Sequence, residues 1–108
     1  MSLPLHVTLA AWRDLEEIVA WISENDSDAK ADYVLDQIVQ TAESIAAMPH
    51  RGTRPKELPP GLQAEFRQVF FKPYRVIYEI TPALIVVHLI ADRRRDLRSL
   101  LMRRLFPG

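Results

Sequence analysis

At 108 residues the chain can build one hydrophobic core but not two, and its 48% hydrophobic and 26% charged content is that of an ordinary soluble domain. It has no cysteine, which excludes disulfides, thiolate nucleophiles and cysteine-based metal sites. The net charge of zero conceals a split: residues 1–50 carry two basic and nine acidic residues (−7), and residues 51–108 carry twelve basic and five acidic ones (+7).

In chain order, Leu5, Val7 and Leu9 alternate with His6 and Thr8, which predicts a short first strand. A helix then starts near Thr8 to Ala11, with Thr8 a candidate N-cap, and Leu15, Ile18, Val19 and Ile22 line its buried face. Trp12 and Trp21 flank that stripe and are read as core; partial exposure would suit a protein interface instead. Glu24 to Ser27 forms a polar break in which Asp26 or Ser27 caps a second helix. That helix runs to about Met48, buries Ala31, Leu35, Ile38, Ala42 and Ile45, and is stopped by Pro49. Residues 49–61 hold four prolines and two glycines, too many breakers for regular structure, and expose Arg51, Arg54 and Lys56 on a loop.

Three strands follow, over Phe66 to Phe71, Tyr74 to Ile80 and Leu84 to Ala91, separated by turns at Lys72-Pro73 and Thr81-Pro82-Ala83. Tyr74 and Tyr78 share the phase of Val76 and Ile80, which places them in the core. The near-continuous apolar run of the last strand predicts burial on both faces, and His88 within it reads as a hydrogen-bonded core histidine. Asp92 is a candidate cap for a final helix with Leu97, Leu100, Leu101 and Leu105 on its apolar side. The order predicts a single α+β domain over residues 1–108. In it an N-terminal strand and an antiparallel helical hairpin pack on an antiparallel sheet, with a short C-terminal helix.

The N-terminal residues lack the basic patch and apolar run of a signal peptide, and the stretch Ala83 to Ala91 is far too short to span a bilayer. A cytoplasmic location without membrane contact is the expectation. His6, His50 and His88 have no metal-ligand spacing, so neither a metal nor any other cofactor is expected.

Four segments, in this order, resemble the RelE/ParE toxin superfamily of type II toxin–antitoxin systems. They are Ala11-Trp12-Arg13-Asp14-Leu15-Glu16-Glu17-Ile18; Met48-Pro49-His50-Arg51-Gly52 followed by Lys56-Glu57-Leu58; Phe66-Arg67-Gln68-Val69 followed by Pro73 to Ile80; and His88 to Leu97. The resemblance covers nearly the whole chain and is greatest to the ParE-like branch. It implies a toxin neutralised by a cognate antitoxin, as a homodimer or a toxin–antitoxin hetero-oligomer, with DNA gyrase as the target. The alternatives are a RelE-like nuclease that cuts messenger RNA on the ribosome without metal, or an inactive relative that retains antitoxin binding.

Whether the chain is an enzyme turns on a few residues. Cutting RNA without metal needs a base for the 2′-hydroxyl, a proton donor for the leaving oxygen and cations for the phosphorane. Arginine, with a pKa above about 12, serves only the last of these well. By the resemblance, Arg75 matches the nucleases' catalytic strand arginine, Arg67 lies near the first of their two strand lysines, and one of Arg93, Arg94 and Arg95 matches a later arginine. Val69 stands where the second lysine would be, and Leu97 to Gly108 contains no tyrosine to match the nucleases' C-terminal one. If the chain is a nuclease, Arg67, Arg75 and Arg94 are its catalytic candidates. If it acts by binding, Arg67, Arg75, Arg93, Arg94, Arg95 and Arg98 are the candidate contacts for antitoxin or target. The competing readings are a sheet arginine paired with Glu79 or Glu65 for Arg75, and ion pairs with Asp92 and Asp96 for the later cluster. A turn of two residues at Lys72-Pro73 separates Arg67 from Arg75, whereas one of three puts them on one face.

Overall fold

In the computed structural model, which describes residues 3–107, Thr8 ends the first strand and begins the first helix. Its N–H donates to the Val87 carbonyl at 3.1 Å, and its hydroxyl accepts from the Ala11 N–H at 3.1 Å. Met1 and Ser2, at the head of the segment read for a targeting signal, and Gly108 lie outside the described residues. Strand β1 spans Leu5–Val7 and helix α1 Leu9–Asn25. Leu9, expected to continue the strand alternation, is instead the first helical residue and is exposed, because the cap at Thr8 has already turned the backbone.

Helix α2 spans Asp28–Ala47. Of its two candidate caps it uses Ser27, which accepts from the Lys30 N–H at 3.0 Å, while Asp26 closes α1. The buried line of α2 runs through Ala31, Val34, Ile38, Ala42 and Ile45. Val34 takes the inner position expected for Leu35, which sits at the flank and is partly buried. Pro49 begins a 3-10 turn, Pro49–Arg51, where its missing N–H is no loss.

Strands β2 (Glu65–Phe71), β3 (Tyr74–Ile80) and β4 (Ile85–Asp92) form an antiparallel meander. β1 joins it alongside β4 in parallel, giving the order β1-β4-β3-β2 and a mixed sheet. The helical hairpin covers one face, burying Leu15, Ile22, Ile38 and Ile45 against Val76, Tyr78, Val87 and Ile90. The last helix, α3 (Leu97–Leu105), covers the other, where Leu97 and Leu101 meet Ile77, Leu89 and Phe66. Its cap is Asp96, not Asp92, which is still the last residue of β4.

Strand β4 is covered on both faces, as its apolar run predicts. Its register explains how. Ile77 faces Leu89 and Tyr78 faces Val87, so His88 is one residue too many. This bulge sends Val87 to the hairpin side and Leu89 to the α3 side, although they lie only two residues apart.

Trp12 and Trp21 are not core residues: they are 44% and 60% exposed. Each neighbours a buried position, Ala11 or Ile22, and so points about 100° away from it around the helix. Among the described residues no helix is long and apolar enough to cross a membrane.

Candidate functional site

The β2–β3 turn decides which basic residues can cooperate. Phe71 pairs with Tyr74 across a two-residue turn, Lys72-Pro73, whose peptide bond is cis. Arg67 therefore pairs with Tyr78, on the hairpin face, and Arg75 pairs with Phe70, on the face toward α3. The two arginines lie on opposite faces of the sheet and cannot act on one phosphate.

Each is also engaged from within. Arg67 donates through Nε to Glu65 at 2.8 Å and through Nη1 to the carbonyls of Gly52 at 2.5 Å and His50 at 3.3 Å. Arg75 donates through Nη1 to Glu57 at 2.9 Å and to the Gln68 side-chain oxygen at 3.2 Å. Its partner is thus neither Glu79 nor Glu65 but a loop residue. Glu79 instead meets His88 Nε2 at 2.9 Å, and the Phe66 ring lies 5.8 Å from the imidazole.

These contacts turn residues 49–58 into a strap around the β2 edge. It begins on the hairpin face, where the Tyr78 hydroxyl donates to the Pro49 carbonyl at 2.6 Å and accepts from the Gly52 N–H at 3.2 Å. Burial pushes the Tyr78 phenol above its ordinary pKa of 10.0, so it stays a neutral donor. A Cβ at Gly52 would stand 2.5 Å from the Gln68 carbonyl oxygen and 2.6 Å from the Tyr78 hydroxyl, so only glycine fits. Thr53 then crosses the edge, exchanging both backbone hydrogen bonds with Gln68 at 2.7 and 3.1 Å. On the far face Glu57 reaches Arg75, and Leu58 is buried beside Phe66. The spacing Pro49-x-x-Gly52 is a sequence signal for this clamp, but nothing in the sequence marks Glu57 as the partner of Arg75.

The later arginines behave differently. Arg94 is held by Asp92, Nε to Oδ1 at 3.1 Å and Nη2 to Oδ2 at 2.8 Å, which keeps the Asp92 carboxyl below its ordinary pKa. Asp96 is occupied with Ser99 at the start of α3. Arg93, Arg95 and Arg98 are exposed, and their side chains make no ion pair or hydrogen bond among the described residues. Next to them, a groove of about 390 Å³ runs between α1 and the end of β4, lined by Ile18, Trp21, Tyr74 and Ile90 and by the charged Asp14, Glu17, Asp92, Arg94 and Arg95.

A partly buried polar junction is not marked by any sequence pattern: Asp14 accepts two hydrogen bonds from Arg104, at 2.9 and 3.0 Å. His6 and His50 are exposed on separate elements, and among the described residues no group of three histidine, aspartate or glutamate side chains is placed to hold a metal.

The family described as "ParE toxin of type II toxin-antitoxin system, parDE" matches residues 5–97. Among solved structures, a chain of the chromosomal ParDE TA system from P. aeruginosa is similar in fold, with a TM-score of 0.71 at 20% identity. The match covers 84% of this chain and 96% of that one. No curated protein matches.

Proposed function

Because the chain belongs to the ParE toxin family of type II toxin–antitoxin systems, we propose that it is the toxin of such a pair, inhibits DNA gyrase by binding it in the cytoplasm, and is silenced by a cognate antitoxin. The observation that carries binding rather than RNA cutting is the placement of Arg67 and Arg75 on opposite sheet faces, each committed to an internal partner. Neither can move a proton near neutral pH, and together they cannot surround one phosphorane. The missing second lysine and C-terminal tyrosine argue the same way.

Arg93, Arg95 and Arg98, unpaired among the described residues, stand beside a groove that includes the exposed Trp21 and suit the acidic side of an amphipathic segment. We assign that surface to the antitoxin. Expression without an antitoxin, followed by a supercoiling assay and primer-extension mapping of messenger RNA, tests the reading. Gyrase-linked DNA breaks with intact transcripts are expected. Codon-phased cuts that vanish in Arg75→Ala would overturn it in favour of a ribosome-dependent nuclease, and neither effect would mean a relative that only binds antitoxin.

A further inference from the structure

Strand β4 runs on after its outer neighbour ends. β1 pairs with it only at Ile85, Val86 and Val87, whereas β3 stays beside it as far as Asp92. From His88 onward its outer side is a free edge, where single side chains stand in for a strand. Arg104 donates to the His88 carbonyl at 2.7 Å, and Asp14 accepts the Ile90 N–H at 3.0 Å. Backbone direction alternates along an antiparallel ladder, so an Ile90 N–H that points outward turns the Ile90 carbonyl and the Asp92 N–H outward too. The Arg93 N–H, one residue on, points back to the Pro73 carbonyl at 2.8 Å, and the Asp92 carbonyl is taken by the Arg95 N–H at 3.0 Å. Among the described residues no strand pairs with the Ile90 carbonyl or the Asp92 N–H.

The groove beside this edge continues past Asp14. A second hollow of about 270 Å³ shares Asp14, Ile90 and Arg95 with it and adds Arg13, Leu100 and Arg104. Leu89 and Ala91 face α3 while Ile90 faces the hairpin, and lining from both sheet faces puts the channel over the strand edge. Within it Asp14 is paired with Arg104, and Asp92 with Arg94. Left over are the exposed Arg13 and Arg95 against Glu17, none of them in an ion pair among the described residues. The channel therefore favours an acidic occupant.

We propose that the antitoxin enters this channel as an extended segment that adds to the free edge of β4, bonding the Ile90 carbonyl and the Asp92 N–H through its own main chain. The inference rests on the antitoxin reading above and adds the conformation of the bound segment. A carbonyl and an N–H two positions apart, both turned outward, match the groups of an extended chain. A helix already bonds its own backbone internally and has none to offer. An apolar side chain of the segment fills the hollow at Trp21 and Ile18, and an acidic one the hollow that Arg13 and Arg95 line.

Calorimetric titration of the cognate antitoxin into two variants at one position tests the strand. Asp92→Pro removes the outward N–H and spares the β3 ladder, since proline is tolerated where an edge N–H faces away from the sheet. Asp92→Ala loses the same carboxylate, and with it the hold on Arg94, but keeps the N–H. The proline variant should bind about tenfold more weakly than the alanine variant. Equal affinities in folded proteins overturn the strand and leave the antitoxin reading standing, whereas a wild type that binds no antitoxin overturns both. Arg13→Glu should also lose about tenfold, and Arg103→Glu, outside the channel, much less. Equal losses overturn the placement of the acidic side chain. Amide exchange on the wild type decides the case in which Asp92→Pro does not fold. With antitoxin saturating, the Asp92 N–H should exchange at least about tenfold more slowly, and an unchanged rate overturns the proposal.

Discussion

Asp14 in α1 and Arg104 in α3 are joined by two hydrogen bonds across 90 positions of sequence, and between them they close over the bulge in β4. Asp14 Oδ2 also accepts the Ile90 N–H at 3.0 Å, and Arg104 Nη1 also donates to the His88 carbonyl at 2.7 Å. The pair satisfies the carbonyl of the extra residue and an N–H two residues later while tying the last helix to the first. The hydrogen bond to Asp14 in turn raises the Arg104 pKa above its ordinary value.

Arg104→Ala should therefore cost about 1–3 kcal/mol of folding stability in urea, since it strands a half-buried carboxylate and a carbonyl. Asp14→Asn should cost a similar amount, and the double variant clearly less than the sum. Additive losses would show that the two residues act independently.

The Tyr78 clamp makes a second prediction. Tyr78→Phe removes the one atom that serves both the Pro49 carbonyl and the Gly52 N–H, and should destabilise by about 1–3 kcal/mol. Gly52→Ala should be worse, because its Cβ meets backbone at Gln68 rather than a flexible side chain. Thermal melts rank the two, and a Gly52→Ala protein as stable as the wild type would mean that the strap does not lie this close to β2.

Acid should loosen the turn before α3. The folded Asp92 carboxyl has a pKa below the ordinary 3.8, first because it accepts the Arg94 side-chain hydrogen bond. A depressed folded pKa gives stability that is complete above the unfolded value and lost as pH falls through the folded one. Asp92→Asn should thus lose less stability than the wild type between neutral pH and the region below 3.8. Identical acid profiles would remove Asp92 as a contributor.

For partner binding, Arg95→Glu/Arg98→Glu is a sharper probe than any change at Arg94, which Asp92 already holds. Titration of antitoxin by calorimetry should give at least about tenfold weaker binding, and a salt dependence flatter than that of the wild type. Unchanged affinity at low salt would make this ridge merely a solvated surface.

What the sequence could reveal follows from how local each signal is. The caps at Thr8 and Ser27, the stop at Pro49 and the stripe through Ile38 rest on residues a turn apart, and they appear where the pattern places them, save that Val34 replaces Leu35 in the stripe. The pairings of Arg67 and Arg75 depend on a loop folding around an edge, and no spacing rule reports that. The choice between two and three turn residues was visible as a question, but its answer required the register. No pattern marks Asp14, because its partners, Ile90 and Arg104, come from the far end of the chain. The tryptophans were misplaced by one helical position, a step that periodicity resolves poorly when bulky and small apolar residues adjoin.

The strap also says where the chain can be lengthened. Between Pro49 and Leu58 it is fastened at Tyr78, Arg67, Gln68 and Arg75, so an added residue there would pull at least one fastening out of reach. Past Leu58 it crosses Pro59, Pro60 and Gly61, all exposed; Gly61 has a φ of 83°, and nothing lies within 4 Å of where its side chain would begin. Natural length variation, an epitope or a fluorescent reporter should therefore be absorbed at Gly61, leaving the fold intact.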